Sequence, residues 1–115
     1  MVDLVEVELI TDDLIQEFEL TKGDHLFECY LDDNKIGYAV IRKKKNDNLF
    51  LIISRKYQNK GYGSKCFKLL LDKTNESSIC SVSFDNVKMH RIIKNNNGIE
   101  IGRNGEIVLY ILENN

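Results

Sequence analysis

Apolar and polar residues alternate along several stretches of the chain, and elsewhere apolar residues recur at helical spacing. Alternation over 4 to 8 residues is typical of a strand with one buried face, and an uninterrupted apolar run of that length is typical of a strand buried on both faces. The predicted strands, in chain order, are Val2 to Ile10, His25 to Leu31, Ile36 to Lys43, Leu49 to Ile53, Ile79 to Phe84, Ile99 to Gly102 and Ile107 to Leu112.

Three segments carry the helical pattern. The first follows Thr11, a residue suited to cap a helix, and closes before Gly23. The second runs from Lys65 to Lys73, and the third opens after Asp85, its predicted N-cap, and leaves through Asn97-Gly98. Their apolar stripes predict the packed faces: Leu14, Ile15 and Phe18 in the first, Cys66, Phe67, Leu70 and Leu71 in the second, and Met89, Ile92 and Ile93 in the third.

The order of these elements predicts an α+β fold with a mixed, mostly antiparallel sheet. Short polar turns join the strands before residue 54, which favours antiparallel pairing, whereas the helix after Ile53 favours a parallel neighbour for the strand that follows it. With 115 residues, of which 43% are hydrophobic, the chain is expected to form one domain, residues 1–115.

Charge and cysteine usage narrow the function classes. The net charge of −2 supplies no basic field for a nucleic-acid partner, and it is compatible with a cationic amine substrate. Three widely separated cysteines give no metal or redox spacing, and small buried side chains in a reducing cytosol explain them. The cysteine spacing also leads us to expect no metal site. Without a signal-peptide pattern or a run of ~20 apolar residues, we expect a cytoplasmic protein with no membrane partner.

The stretch that follows the central apolar strand carries the candidate chemistry. Gln58-x-x-Gly61-x-Gly63 leads from Ile53 into the second helix, so several backbone N–H groups converge at a helix start, beside the charge of Lys60. Such a turn favours a phosphate group. The spacing fits neither the Walker loop nor the three-glycine dinucleotide fingerprint.

This pattern resembles the pyrophosphate-binding turn of the GNAT superfamily of N-acetyltransferases. A second segment, Asp85-Asn86-x-x-Met89-x-x-x-Ile93-x-x-Asn96-Asn97-Gly98, is similar to the family's strand-to-helix segment, and the element order is similar over nearly the whole chain. The resemblance implies a GNAT-like acyl-CoA N-acyltransferase fold of about seven strands and three helices. It also implies transfer of an acetyl group from acetyl-CoA to a primary amine of a small molecule or a protein.

The resemblance further implies where acetyl-CoA binds. The main chain of Leu51, Ile52 and Ile53 would pair with the pantetheine arm, and Asn86 would hydrogen-bond that arm. Gln58 would shape the turn, and the pyrophosphate would lie against the amides of Asn59, Lys60, Gly61, Tyr62, Gly63 and Ser64. The basic run Arg42 to Lys45 is either a solvated strand end or a contact for the 3′-phosphate.

The chain departs from the family at the proton donor, because Ile93 stands where many members carry a tyrosine. His90, one helical turn earlier, is the alternative acid, and Glu28, in a strand among apolar neighbours, is the candidate base. Each also has a plain structural interpretation, a surface histidine and an outward-facing carboxylate. A noncatalytic CoA-binding or interaction domain, or a small scaffold without a CoA site, therefore remain alternatives.

A second departure concerns the acceptor side. Family members typically place two helices between the first two strands, but only about a dozen residues, Thr11 to Gly23, are available here. We therefore expect an open groove. Either the acceptor is an exposed protein amine or polyamine tail, or a second subunit of a homodimer completes the wall.

Overall fold

The computed structural model describes residues 1–43, 47–74 and 77–113, with the main chain alone at residues 47 and 48. Within these residues seven strands and three helices are found. Their bounds are Val2–Glu6 (β1), Asp12–Phe18 (α1), His25–Leu31 (β2), Asn34–Arg42 (β3), Asp47–Ile53 (β4), Tyr62–Asp72 (α2), Ser78–Ser83 (β5), Val87–Asn95 (α3), Ile99–Asn104 (β6) and Ile107–Leu112 (β7). A 3-10 turn at Arg55–Tyr57 precedes α2. The predicted α+β class is confirmed.

The strands form one sheet in the order β1-β2-β3-β4-β5-β7-β6. Every neighbouring pair is antiparallel except β4 and β5, which are parallel. The α2 helix makes this parallel step possible, because a chain that must return to the same end of a sheet needs a long crossover. The mixed, mostly antiparallel sheet predicted from the sequence is therefore confirmed.

Adjacent residues of a strand point to opposite faces of the sheet, and each face has its own apolar core. The larger core lies under α2 and α3 and includes Phe27, Ala39, Ile53 and Phe67. The smaller one lies under α1 and consists of Phe18, Leu26 and Val40, with Tyr38 packed against it. The strand β4 lies between the two helical layers.

The α1 helix is fastened at both ends. The Thr11 side chain accepts a hydrogen bond from the Leu14 N–H at its start. At its end the Arg42 guanidinium donates to the carbonyls of Phe18 (2.8 Å) and Glu19 (3.1 Å), which the last helical turn leaves free. Arg42 is thus engaged with α1; Lys44 and Lys45, the end of the predicted basic run, lie outside the described residues.

Several element ends differ from the sequence prediction. β1 ends at Glu6; beyond it Val7 and Ile10 pack on the smaller core, and the Val7 N–H still donates to the Leu26 carbonyl (2.9 Å). α2 begins three residues earlier than predicted, at Tyr62, and β6 continues to Asn104, so the last hairpin turns at residues 105 and 106. Among the helices in the described ranges, none is both long and apolar enough to cross a lipid bilayer.

Candidate functional site

β4 and β5 diverge soon after they meet. Their described pairing covers only Asp47 with Ser78 and Asn48 with Ile79, although both strands continue for several residues. The Cys80 thiol donates to the Leu49 carbonyl (3.3 Å) at the bottom of the opening. Above this contact the two strands separate into a cleft.

Backbone alternation decides which β4 groups face this cleft. The Ile52 carbonyl is directed at β3, since a Cβ added to Gly37 on that strand would collide with it. Two residues further along, the Ser54 N–H also points to β3, where it donates to the Ile36 carbonyl (2.7 Å). Consequently the N–H groups of Leu51 and Ile53 point the other way, into the cleft. The predicted main-chain contact by Ile52 does not fit this geometry, because both its N–H and its carbonyl are directed at β3, although Ile52 is among the residues that line the cleft.

Gln58 connects the end of β4 to α3. Its side-chain amide donates to the Ile53 carbonyl (2.8 Å), and its side-chain oxygen accepts from the Lys88 ammonium (2.6 Å). The Ile53 carbonyl is thereby occupied, while the Ile53 N–H stays directed at the cleft. This agrees with the turn-shaping role that the sequence suggested for Gln58.

The turn before α2 exposes backbone donors. Asn59 and Gly61 have positive φ values of 63° and 84°, which direct the chain sharply into the helix. No side chain caps this helix at Gly61, its first turn contains no acidic residue, and its own hydrogen bonding begins at the N–H of Lys65, which donates to the Gly61 carbonyl (3.3 Å). The N–H groups of residues 62–64 are the orphan donors of an anion-binding helix start.

These features border one cavity of about 370 Å³. The cavity is lined by Leu51, Ile52, Ile53, Gln58, Asn59, Gly61, Gly63, Ser64, Asn86, Lys88, Met89, Arg91, Ile92 and Asn95. Of the residues predicted to bind the cofactor, all but Lys60 and Tyr62 lie in this lining. Lys60 is exposed, and Tyr62 packs partly against the larger core.

The α3 wall of the cavity was missed by the sequence reasoning. Lys88, Met89, Arg91, Ile92 and Asn95 belong to it, and their spacing of three to four residues was a usable signal for a second face of this helix. A Cβ on Gly63 would lie 2.9 Å from the Ile92 Cδ1 atom. Gly63 therefore lets α2 and α3 approach closely, in addition to leaving its amide accessible.

Two polar side chains at the cleft are held by α3. The Asn86 side-chain oxygen caps α3 by accepting from the Met89 N–H (3.2 Å), so Asn86, and not the predicted Asp85, is the cap. Its amide NH₂ remains a donor at the cleft. The Ser64 hydroxyl accepts from Asn96 (3.3 Å), which leaves its own proton available.

His90 lies on the far side of α3 from this cleft. Its Nε2 contacts the Ser83 carbonyl (2.9 Å), which can only accept, so Nε2 carries a proton. Its Nδ1 contacts the Tyr110 hydroxyl (2.8 Å). Both ring nitrogens are engaged and neither faces the cavity, so this geometry fastens α3 to β5 and β7 and provides no donor for a thiolate.

We expect His90→Asn to lower the free energy of unfolding by about 1 to 2 kcal/mol, because it removes one partly buried and one exposed hydrogen bond. If the protein transfers an acyl group, kcat and its pH dependence should stay unchanged. The matched control is His25→Asn, which removes an exposed contact to Glu6 (2.8 Å) worth at most about 1 kcal/mol. Urea denaturation and a pH profile of turnover check this; a large fall in kcat with full stability would restore His90 as the acid.

Glu28 is engaged in a polar cluster on β2 and β3. Its carboxylate accepts from the Tyr30 hydroxyl (3.1 Å) and from the Lys35 ammonium (3.1 Å), which also donates to the Tyr38 hydroxyl (2.9 Å). The hydrogen bond from Lys35 to Tyr38 raises the pKa of Lys35 most, and the hydrogen bond to Glu28 raises it further, so this lysine stays charged. Glu28 does not line the cleft, and these polar contacts agree with the outward-facing carboxylate that was the alternative to a base.

The cysteines do not offer a nucleophile. Cys29 and Cys66 are 0% exposed, and burial raises the pKa of Cys80 to about 12. A reactive thiolate needs a lowered pKa and access to substrate. No cluster of three or more metal-ligating side chains occurs in the part of the chain that the structure describes.

A mixed sheet with one splayed parallel pair, beside an uncapped helix start, defines an α+β domain with an open strand pair and an anion-accepting turn. The sequence profile described as Acetyltransferase (GNAT) family matches residues 4–96. The chain therefore belongs to the GNAT acetyltransferase family. A search of curated proteins by sequence finds no match.

Solved structures share this fold over the whole chain. A Bacillus subtilis acetyltransferase in complex with CoA superposes with a TM-score of 0.77 at 11% identity, covering 98% of this chain and 99% of that one. Mutant forms of the Vibrio cholerae spermidine/spermine N-acetyltransferase SpeG give 0.77 at 13%, covering 99% and 95%. The Campylobacter jejuni N-acetyltransferase PseH gives 0.74 at 14%, covering 99% of each.

Proposed function

We propose that the protein is an acetyl-CoA-dependent N-acetyltransferase that acts on a primary amine. The observation that carries this proposal is the continuity of one cleft: the free N–H groups of β4 and the uncapped start of α2 border the same cavity. A thioester joined through a flexible arm to a diphosphate has complementary groups in the same order. The family membership and the CoA complex of the Bacillus subtilis relative support the same ligand class.

In this proposal the pantetheine arm lies against β4. The N–H groups of Leu51 and Ile53 pair with it, the Ile52 side chain flanks it, and the Asn86 amide donates to one of its carbonyls. The diphosphate lies at the start of α2, against the amides of Asn59, Lys60, Gly61, Tyr62, Gly63 and Ser64. Arg91, which lines the cleft and has no ion-pair partner among the described residues, adds positive charge on the α3 side.

The proposed reaction is a direct transfer. The amine nitrogen attacks the acetyl carbon, the C–S bond breaks, and the proton lost by nitrogen passes to solvent. A β4 N–H stabilises the developing oxyanion, and one such donor in a dry site contributes about 3 kcal/mol. Fixing both reactants can remove roughly 7 to 11 kcal/mol of the barrier.

The leaving thiolate receives its proton from water in this proposal. No carboxylate, imidazole, thiol or phenol lines the described cleft, and Ile93 is fully buried and is not part of its lining. A thiol with a pKa near ~8.5 is a good enough leaving group to depart as the thiolate. The same observation favours the second candidate function, a CoA-binding domain that does not catalyse transfer.

A thermal-shift titration followed by a turnover assay tests the proposal. Acetyl-CoA at a hundredfold excess over its Kd should stabilise the fold by about 2.7 kcal/mol, which for this chain length raises the melting temperature by on the order of 10 °C. Mass spectrometry of an amine panel should then detect acetylated products. Absence of any shift contradicts both functions; a shift without product from any amine favours the noncatalytic one.

A further inference from the structure

A second cavity lies on the other face of β4. It also measures about 370 Å³, within the range of small-molecule sites, and it shares Ile52, Ile53 and Gln58 with the CoA cleft. The remaining lining comes from Glu17 and Phe18 of α1, from Lys35, Gly37 and Tyr38 of β3, and from Ser54 and Arg55. An amine bound here would approach the acyl group across the end of β4.

The walls of this cavity combine aromatic surface with charge of both signs. Phe18 and Tyr38 lie with ring centroids 4.9 Å apart. The Lys35 ammonium already donates hydrogen bonds to Glu28 (3.1 Å) and Tyr38 (2.9 Å). Arg55 and Glu17 have no ion-pair partner among the described residues, so one guanidinium and one carboxylate remain for a ligand.

We propose that the acceptor is a small primary amine that also carries an anionic group, a carboxylate or a phosphate. This inference rests on the proposed function. Arg55 binds the anionic group, since a guanidinium matches both anions with paired N–H donors, and Glu17 binds the ammonium before it loses its proton. The neutral nitrogen then forms the C–N bond as the C–S bond breaks and releases its surplus proton to water, and the thiolate takes a proton from water.

The charges argue against the polyamine acceptor considered from the sequence. Because Lys35 is paired with Glu28, Arg55 and Glu17 are the charged groups of the lining that remain for an acceptor. A polyamine has no group for Arg55 and would be repelled by it. The net negative charge of the whole chain is therefore not a guide to the charge preference of this cavity.

The test compares amines that differ only in the anionic group. The pairs are β-alanine with its amide and phosphoethanolamine with ethanolamine, and spermidine is the polyamine probe. For wild type we expect kcat/KM at least tenfold higher for the anionic member of one pair, and that pair identifies the anion as a carboxylate or a phosphate. Arg55→Gln should remove the preference by lowering kcat/KM for the anionic member at least tenfold, and Arg55→Lys should restore part of it.

Lys56→Gln is the matched control, because this neighbouring lysine is exposed and does not line the cavity. It should keep the preference. Any of three results would overturn the inference. These are equal rates within both pairs, a higher rate with spermidine, and no calorimetric binding of any anionic amine to the CoA-loaded protein. The acetyl-CoA thermal shift is measured separately in wild type and in every variant. If wild type shows no shift, the proposed function itself is wrong, and this result is distinct from a failure of the acceptor proposal.

Discussion

Gly61→Asp should abolish the thermal stabilisation by acetyl-CoA, whereas Gly61→Asn should keep most of it. The two side chains have nearly the same size, and both meet the same positive φ of 84°. A Cβ at this position has no atom within 4 Å, so neither variant creates a clash within the protein. Only the aspartate places a negative charge at the orphan N–H groups where the proposed diphosphate lies.

The expected difference in CoA affinity between these two variants is large. Two like charges about 4 Å apart near a protein surface repel by about 4 kcal/mol, so a Kd increase of roughly 100-fold is a conservative expectation. Calorimetry of each variant with CoA measures it, and the melting temperature without ligand shows that both fold equally well. Equal affinity for CoA in both variants would mean that the start of α2 does not hold the diphosphate.

The local pattern of the sequence was sufficient to predict the order of elements and the turn at Gly61. Helix caps, glycines and alternating strands act over a few residues, so each could be recognised without knowledge of the neighbours. The cap of α3 shows the limit of such reasoning, since Asp85 and Asn86 are equally suited and only the path of the chain selects Asn86.

The contacts of the proton-transfer candidates could not be predicted for a different reason. Whether His90 faces the cleft depends on how α3 is rotated on the sheet, and that rotation is set by buried Ile93 and by Tyr110 on a strand twenty residues away. Glu28 likewise meets Lys35 only because β2 and β3 pair in one register. Contacts between distant segments decide the role of such side chains.

The β4 strand separates the two cavities and serves both. Its Leu51 and Ile53 amides face the proposed thioester side, while the Ile52 carbonyl is directed at β3 and Gly37. A residue that disturbs the pairing of β3 with β4 would therefore displace both the proposed donor and the proposed acceptor site. Gly37 is the position where this disturbance can be made with one methyl group.

We expect Gly37→Ala to lower the free energy of unfolding by about 3 kcal/mol, near the upper end for overpacking. Its Cβ would collide with the Ile52 carbonyl and lie 3.0 Å from the Ile53 Cα, and backbone atoms of a paired strand cannot move aside as a flexible side chain can. Gly102→Ala is the control, because its Cβ would meet nothing within 4 Å, and it should change stability by less than about 0.5 kcal/mol. Urea unfolding measures both; if the two variants are equally stable, β3 can yield at Gly37 and the close approach of the strands does not hold β4 in place between the cavities.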